Sequence, residues 1–200
     1  MDLKKLSDTF RARGFKVDIF DDEHEASKFI LAECENLNVG MGGSVTLSET
    51  GIADLLLKRG NAHWHFRNAD RGEIRAAAEA EVYISGINAI SQTGEIVNID
   101  GVGNRVSAAI YGANRKKVIF VCGINKITDT LEKALWRAKN VASPLNAKRL
   151  KRATPCAAKA DKCYNCNSPE RICKVTAIFT RPTGDNVQTH IVIIKKTLGF

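Results

Sequence analysis

Residues 39–46 read VGMGGSVT, and this stretch decides the predicted fold. A short apolar segment, Leu37–Val39, leads into it and predicts a strand. The pattern Thr46-Leu47-Ser48-Glu49 follows as a capping box, which predicts a helix from there to Arg59. Glycine has no Cβ and lets the backbone turn tightly between the two elements. A strand, a glycine-rich loop and a helix in this order favour an α/β protein.

Strands and helices alternate through most of the remaining chain. The predicted strands are Phe15–Phe20, Ala62–Phe66, Val82–Ser85, Ile87–Ser91, Glu95–Ile99, Val118–Val121, Val175–Arg181 and Thr189–Lys195. The predicted helices are one between Asp2 and Gly14, then Asp22–Glu35, Ala69–Ala80, Asn104–Tyr111, Thr128–Lys139 and Pro144–Leu150. This order predicts a mostly parallel open sheet with helices on both faces.

Two hairpins are predicted in addition to the parallel strands. The first turns at Gln92-Thr93-Gly94. The second, a closing hairpin of the last two strands, turns at Gly184-Asp185-Asn186.

Length and composition point to one domain. The chain has 200 residues, 44% of them hydrophobic and 26% charged, which is ordinary for a globular protein. We expect a single domain over 1–200, with 154–174 as a cysteine-rich metal-binding segment. No apolar run approaches the ~18 residues that span a bilayer. The N-terminus has no apolar signal-peptide core, so we expect a cytoplasmic protein with no membrane partner.

The chain carries a net charge of +8, much of it in one run of basic residues. This run contains Lys148, Arg149, Lys151 and Arg152. Aromatic residues make up 6% of the chain, and none alternates with these bases as a stacking platform would require. We therefore disfavour nucleic acid as a partner. A solvated face, or cations that offset thiolate charge, explains the run better.

The glycine loop is a candidate ligand site. The backbone N–H groups of Gly40, Gly42 and Gly43 can approach an anion, and the helix that follows adds positive potential. Ser44 and Thr46 add hydroxyl donors. The spacing matches neither the Walker motif nor a full Gly-x-Gly-x-x-Gly fingerprint. A tight turn that binds nothing is the alternative.

A second polar loop follows the strand at residues 95–99. Asp100 is a candidate acid or base, and Glu95 a candidate nucleophile or base. Arg105 can grip a carboxylate or phosphate with two hydrogen bonds, with Asn104 beside it. Ordinary turn chemistry explains the same residues equally well. The histidines of His63-Trp64-His65 share one face of a strand, but no third metal ligand is evident nearby, so we assign them no role.

Four of the six cysteines form a candidate metal site. Cys156, Cys163, Cys166 and Cys173 have the spacing C-x6-C-x2-C-x6-C. A C-x2-C pair can grip one metal, and flanking cysteines can complete a set of four. Both zinc and a [4Fe–4S] cluster fit; redox disulfides and free thiols are the alternatives. Basic residues that would offset thiolate charge lie nearby at Lys159, Lys162, Arg171 and Lys174.

Three stretches resemble the lactate-utilisation family, which is defined by the LUD domain. They are residues 40–51 (GMGGSVTLSETG), 89–106 (AISQTGEIVNIDGVGNRV) and 118–127 (VIFVCGINKI). The resemblance implies a fold similar to the glucosamine-phosphate isomerase, ribose-phosphate isomerase and CoA-transferase group. It also implies a component of L-lactate oxidation to pyruvate that works beside iron–sulfur partner proteins. This redox context favours the cluster slightly over zinc.

Three kinds of function remain open. The first is a redox-linked component of lactate utilisation that binds a small anionic metabolite at the glycine loop. The second is an isomerase or CoA-transferase-like enzyme that uses Glu95 or Asp100. The third is a non-catalytic metabolite-binding subunit. Whether the protein is an enzyme, and its oligomeric state, stay undecided at this level.

Overall fold

A computed structural model describes residues 2–67, 70–184 and 186–200. Ten strands are found there: β1 (Lys16–Phe20), β2 (Val39–Met41), β3 (Ala62–Trp64), β4 (Val82–Gly86), β5 (Ala89–Ser91), β6 (Ile96–Asp100), β7 (Lys117–Gly123), β8 (Ile127–Thr128), β9 (Val175–Phe179) and β10 (Gln188–Ile194). The α-helices are α1 (Leu3–Ala12), α2 (Glu23–Glu33), α3 (Val45–Glu49), α4 (Ile52–Leu57), α5 (Arg71–Glu79), α6 (Asn104–Ile110), α7 (Leu131–Arg137), α8 (Ser143–Arg149) and α9 (Pro155–Lys159).

The larger sheet confirms the predicted α/β class. Its six strands run in the order β1-β10-β7-β4-β2-β3, and every neighbouring pair is parallel. Side chains alternate between its two faces, so Ile119 and Val121 enter one core while Val118 and Phe120 enter the other. Helices cover both faces, as burial of a parallel sheet requires.

A smaller sheet contains the first predicted hairpin. Its order is β8-β5-β6-β9, and β5 pairs antiparallel with β6. Gly94 in the connecting turn has a φ of 99°, the left-handed conformation that favours glycine. The buried residues Ala89, Val97 and Ile99 pack against Ala134 and Ala138.

The two C-terminal strands form, but they pair in different sheets. β10 lies between β1 and β7, whereas β9 pairs with β6 at the edge of the smaller sheet. β9 and β10 therefore follow one another in sequence, as expected, but they do not pair with each other as the strands of a closing hairpin would. Thr189–Ile194 is buried on both faces, which suits a central strand, whereas Val175 and Ile178 in β9 are exposed. The expected turn at Gly184-Asp185-Asn186 includes Asp185, which lies outside the described residues.

Three predicted helices have different limits. The helix expected at 46–59 is two helices, because Gly51 between them has a φ of 71°. A π-helical turn at Ala138–Ala142 joins α7 to α8 in one continuous helical run. The start expected at Ala69 for the alanine-rich helix lies outside the described residues. In the cysteine-rich segment, the short helix α9 contains the first of the four clustered cysteines, Cys156.

Across residues 2–67, 70–184 and 186–200, every helix is too short or too polar to span a bilayer.

Candidate functional site

A cavity of about 220 Å³ opens beside the glycine loop, at the carboxyl ends of β2, β3 and β4; we call it the glycine-loop cavity. Ligands in α/β proteins bind at this end of the strands. The polar residues that line it are Ser44, Thr46, His65, Asn88, Asn104, Arg105, Lys126, Asn146 and Arg149.

Five of the seven ligand-binding residues predicted from the sequence line this cavity: Gly43, Ser44, Thr46, Asn104 and Arg105. The other two, Gly40 and Gly42, lie behind it.

Gly40 and Gly42 have packing roles in the described structure. A Cβ added to Gly40 would lie 1.9 Å from the carbonyl oxygen of Ala77, so α5 rests directly on β2 there. The carbonyl of Gly42 accepts a hydrogen bond from the indole of Trp64 at 3.2 Å. Both glycines therefore hold the loop in place through contacts with α5 and with Trp64.

The hydroxyls of the glycine loop are buried and held in place. Ser44 caps α3, and its Oγ accepts a hydrogen bond from the Leu47 N–H at 3.2 Å. Thr46 is 1% exposed, and its Oγ1 accepts a hydrogen bond from Lys126. A rigid pair of hydroxyls therefore faces the cavity.

Lys126 is a site residue that we did not predict. Its Nζ lies 2.8 Å from the Thr46 Oγ1, and the residue is 4% exposed. Burial lowers the pKa of Lys126 to about 8, and the positive charges of Arg137 and Arg105 act in the same direction. The signal in the sequence was its position shortly after the apolar strand β7. The glycine loop likewise follows an apolar strand, β2.

Arg105 is fixed by main-chain carbonyls. Its Nη2 donates to the Ile99 carbonyl at 2.8 Å, and its Nη1 donates to the Gly86 carbonyl at 3.4 Å. Asp100 lies 3.9 Å from its Nε. These contacts orient the guanidinium along the wall of the cavity.

Asp100 supports α6 and lines a neighbouring cavity of about 190 Å³. Its Oδ2 accepts the N–H groups of Arg105 at 2.9 Å and Val106 at 3.1 Å, the first turn of α6. Arg105 lines both cavities. The structure thus places one of the two predicted catalytic carboxylates beside the ligand site.

Glu95, the other predicted catalytic residue, lies apart from both cavities. Its carboxylate accepts hydrogen bonds from the hydroxyls of Ser91 and Thr93 and forms an ion pair with Arg13 at 3.0 Å. Burial alone would raise the pKa of Glu95, but these hydrogen bonds and the Arg13 charge outweigh it and lower the pKa. These partners join the β5–β6 turn to the end of α1.

The two histidines in and next to β3, His63 and His65, have different neighbours. His63 Nδ1 lies 3.0 Å from a Glu73 carboxylate oxygen, whereas His65 lines the glycine-loop cavity. The ring of His65 pairs with the Asn104 side chain at 2.8 Å. Burial lowers the pKa of His65, and the Arg105 charge adds to the effect, so the ring is neutral at neutral pH.

The guanidinium of Arg171 contacts two of the four clustered cysteines. The Nη2 of Arg171 lies 3.3 Å from the Cys173 Sγ, and its Nη1 donates to the Cys166 carbonyl at 2.8 Å. The hydrogen bond to Cys173 raises the pKa of Arg171, and the thiols of Cys173, Cys166 and Cys163 also raise it electrostatically.

The fourth cysteine of the set, Cys156, has a different neighbour. Its sulfur lies 3.3 Å from the Thr154 hydroxyl. Within the described ranges, no three Cys, His, Asp or Glu side chains are arranged to hold a metal ion.

The comparisons with known proteins identify the family. The family model of the LUD domain matches residues 3–194. The chain belongs to the LUD-domain family. A solved structure, a DUF162 family protein from Deinococcus radiodurans, is 11% identical and superposes with a TM-score of 0.54 over 96% of this chain and 95% of that one. Because the two chains are only 11% identical, this similarity shows the fold of the LUD-domain protein alone. No curated protein matches it.

Proposed function

We propose that this LUD-domain protein is a component of L-lactate utilisation that binds a small anionic metabolite in the glycine-loop cavity. One observation carries the binding proposal. Three basic side chains, Arg105, Lys126 and Arg149, line the cavity, and no acidic side chain of the described residues does. Such a wall attracts anions and can hold a carboxylate or phosphate.

The size of the cavity supports a compact ligand. Its volume of about 220 Å³ lies below the range of roughly 300–1,000 Å³ of pockets for drug-sized ligands. A three-carbon acid or inorganic phosphate therefore suits it better than a nucleotide.

Calorimetry with L-lactate, pyruvate and inorganic phosphate tests the binding. We expect Arg149→Gln to weaken the affinity for the best of the three about tenfold, because a charged hydrogen bond contributes roughly 1.5–3 kcal/mol. Lys148→Gln is the matched control, since Lys148 is the exposed neighbour of Arg149 outside the cavity lining. Failure to bind any of the three anions would refute the proposal.

The redox part of the proposal concerns Cys156, Cys163, Cys166 and Cys173. We propose these residues as the ligands of a [4Fe–4S] cluster, with zinc as the alternative. The contacts of Arg171 with the Cys173 Sγ and the Cys166 carbonyl support an anionic centre at this place, because a guanidinium stabilises thiolates. A bound cluster would supply single-electron transfer to iron–sulfur partner proteins.

An isomerase or CoA-transferase-like activity is the second candidate function. The observation in its favour is that Asp100 borders the cavity next to the basic wall. Glu95 is the weaker candidate for such chemistry, because Arg13 and two hydroxyls already occupy its carboxylate. A non-catalytic subunit would show ligand binding and no turnover.

A further inference from the structure

Lys126 has surroundings that a structural lysine rarely has. It is 4% exposed, and no carboxylate of the described residues forms an ion pair with it, although the charge of Glu49 raises its pKa. Buried lysines are normally paired with an acid. Its amine instead faces the Thr46 hydroxyl at 2.8 Å, inside a cavity that is open to ligand.

Burial also increases the fraction of Lys126 that is uncharged at neutral pH. With a pKa of about 8, about one molecule in ten carries Lys126 uncharged at pH 7. An ordinary lysine is uncharged only a few times in ten thousand. Only the uncharged amine has a lone pair to attack an electrophile, so burial activates Lys126 as a nucleophile.

We propose that Lys126 forms an imine with the carbonyl carbon of a 2-oxo acid bound in the glycine-loop cavity. This inference rests on the proposed anion site and names its substrate class. The guanidinium of Arg105, which lines the same cavity as Lys126, recognises the carboxylate. A carbonyl next to a carboxylate is the group that this amine and this guanidinium can engage together.

The step balances without any oxidant or reductant. The nitrogen lone pair of Lys126 forms a bond to the carbonyl carbon, while the π electrons move to oxygen, which takes up a proton. The nitrogen gives up its two protons in turn: the first makes good the proton taken up by the oxygen, and the second makes good the proton that the hydroxyl needs to leave as water when the C=N bond forms. Thr46 accepts a hydrogen bond from Lys126, so its own hydroxyl hydrogen can be donated to the departing oxygen.

Reductive trapping tests this proposal on the intact protein. The protein is incubated with pyruvate and sodium cyanoborohydride, which reduces an imine to a stable secondary amine, and the product is digested and mapped by mass spectrometry. We expect the adduct on the peptide that contains Lys126. L-Lactate, which has no carbonyl, should give no adduct.

Two variants sharpen the test. Lys126→Met should lose the adduct, and Lys148→Gln should keep it, because Lys148 is exposed and outside the cavity. An adduct absent from the wild-type protein, or spread over surface lysines, overturns the proposal whether or not Lys126→Met folds.

Calorimetry on the same samples separates two kinds of failure. Pyruvate that binds without a reducible adduct overturns the imine and leaves the anion site intact. Pyruvate, lactate and phosphate that all fail to bind overturn both.

Discussion

Glu95 and Asp100 stand at the two ends of β6, and their carboxylates meet different surroundings. Glu95 is held by Ser91, Thr93 and Arg13, and it is not among the lining residues of either cavity. Asp100 accepts two N–H groups of α6 and borders a cavity. Sequence spacing made the two residues equal candidates, because it shows neither the direction of a side chain nor its partners.

Glu95→Gln should therefore affect stability and leave ligand binding unchanged. We expect the free energy of unfolding to fall by about 1–3 kcal/mol, since a charged hydrogen-bonded group loses its charge. Urea unfolding measures this, and calorimetry with pyruvate measures binding. Asp100→Asn is measured in the same two experiments, for comparison with Glu95→Gln. Loss of turnover on a sugar phosphate or CoA thioester in Glu95→Gln, with unchanged stability, would assign Glu95 to catalysis after all.

His190 is a second buried residue whose role the sequence does not reveal. It is 2% exposed, and neither ring nitrogen has a hydrogen-bond partner among the described residues. Asp18 lies 3.5 Å from one nitrogen and Glu33 lies 3.7 Å from the other. Burial lowers the pKa of His190, as do Lys16 and Lys117, whereas Glu33 and Asp18 raise it.

This histidine predicts a loss of stability in mild acid. Below the ordinary value of 6.5, the unfolded chain takes up a proton that folded His190 does not, so falling pH favours unfolding. We expect urea midpoints measured from about pH 7.5 to 5.5 to fall less in His190→Leu than in the wild type. His24→Gln, at an exposed histidine, is the control. Equal slopes for all three proteins would contradict the assignment.

Lys126 shows what local sequence patterns leave out. Ser44 and Thr46 could be predicted because strand, glycine loop and helix lie next to one another in sequence, and Arg105 because it follows a polar loop directly after β6. The burial of Lys126 depends on the chain near Gly199, where an added Cβ would lie 3.3 Å from the lysine Nζ. Such long-range packing is absent from residue spacing.

At the level of elements, the contact between α5 and β2 sets the position of the glycine loop. The main chain at Ala77 in α5 lies against Gly40, with no room for a Cβ. We predicted Gly40 as a ligand residue because glycines near an anion and glycines under a helix look the same in a sequence. The structure shows the second use.

Gly40→Ala should separate α5 from the sheet. Overpacking of this kind costs roughly 1–3 kcal/mol, and the atom in the way is backbone, which cannot rotate aside. Urea unfolding measures the loss. Gly72→Ala is the matched control on the same helix, where the added Cβ meets only a side-chain oxygen of Asp70 at 3.1 Å. Gly40→Ala as stable as the control would disprove the close contact.

All strands but the two-residue β8 were predictable from hydrophobic pattern, whereas the partners of the strands were not. β5 and β6 are joined by a short glycine turn, which fixes their pairing locally. β9 and β10 are also neighbours in sequence, yet β10 is drawn into the centre of the large sheet because it is apolar on both faces. Pairing over long distances depends on the whole core.

Across the whole molecule, the cysteine segment lies next to the candidate ligand site. The Lys174 N–H donates to the Asp100 carbonyl at 2.9 Å, and Ile172 lines the same cavity as Asp100 and Arg105. The two features that the sequence showed separately are therefore neighbours in the fold.

Metal analysis after anaerobic purification addresses this arrangement directly. We expect iron and sulfide in the wild-type protein, their loss in Cys163→Ser, and full occupancy in Cys34→Ala, because Cys34 is buried in the core away from the segment. One zinc without iron would rule out the cluster and leave a structural knuckle, and a protein free of both would refute the metal site. Since the segment is hydrogen-bonded to the end of β6, removal of the metal should also weaken pyruvate binding, whereas Cys34→Ala should bind as the wild type does.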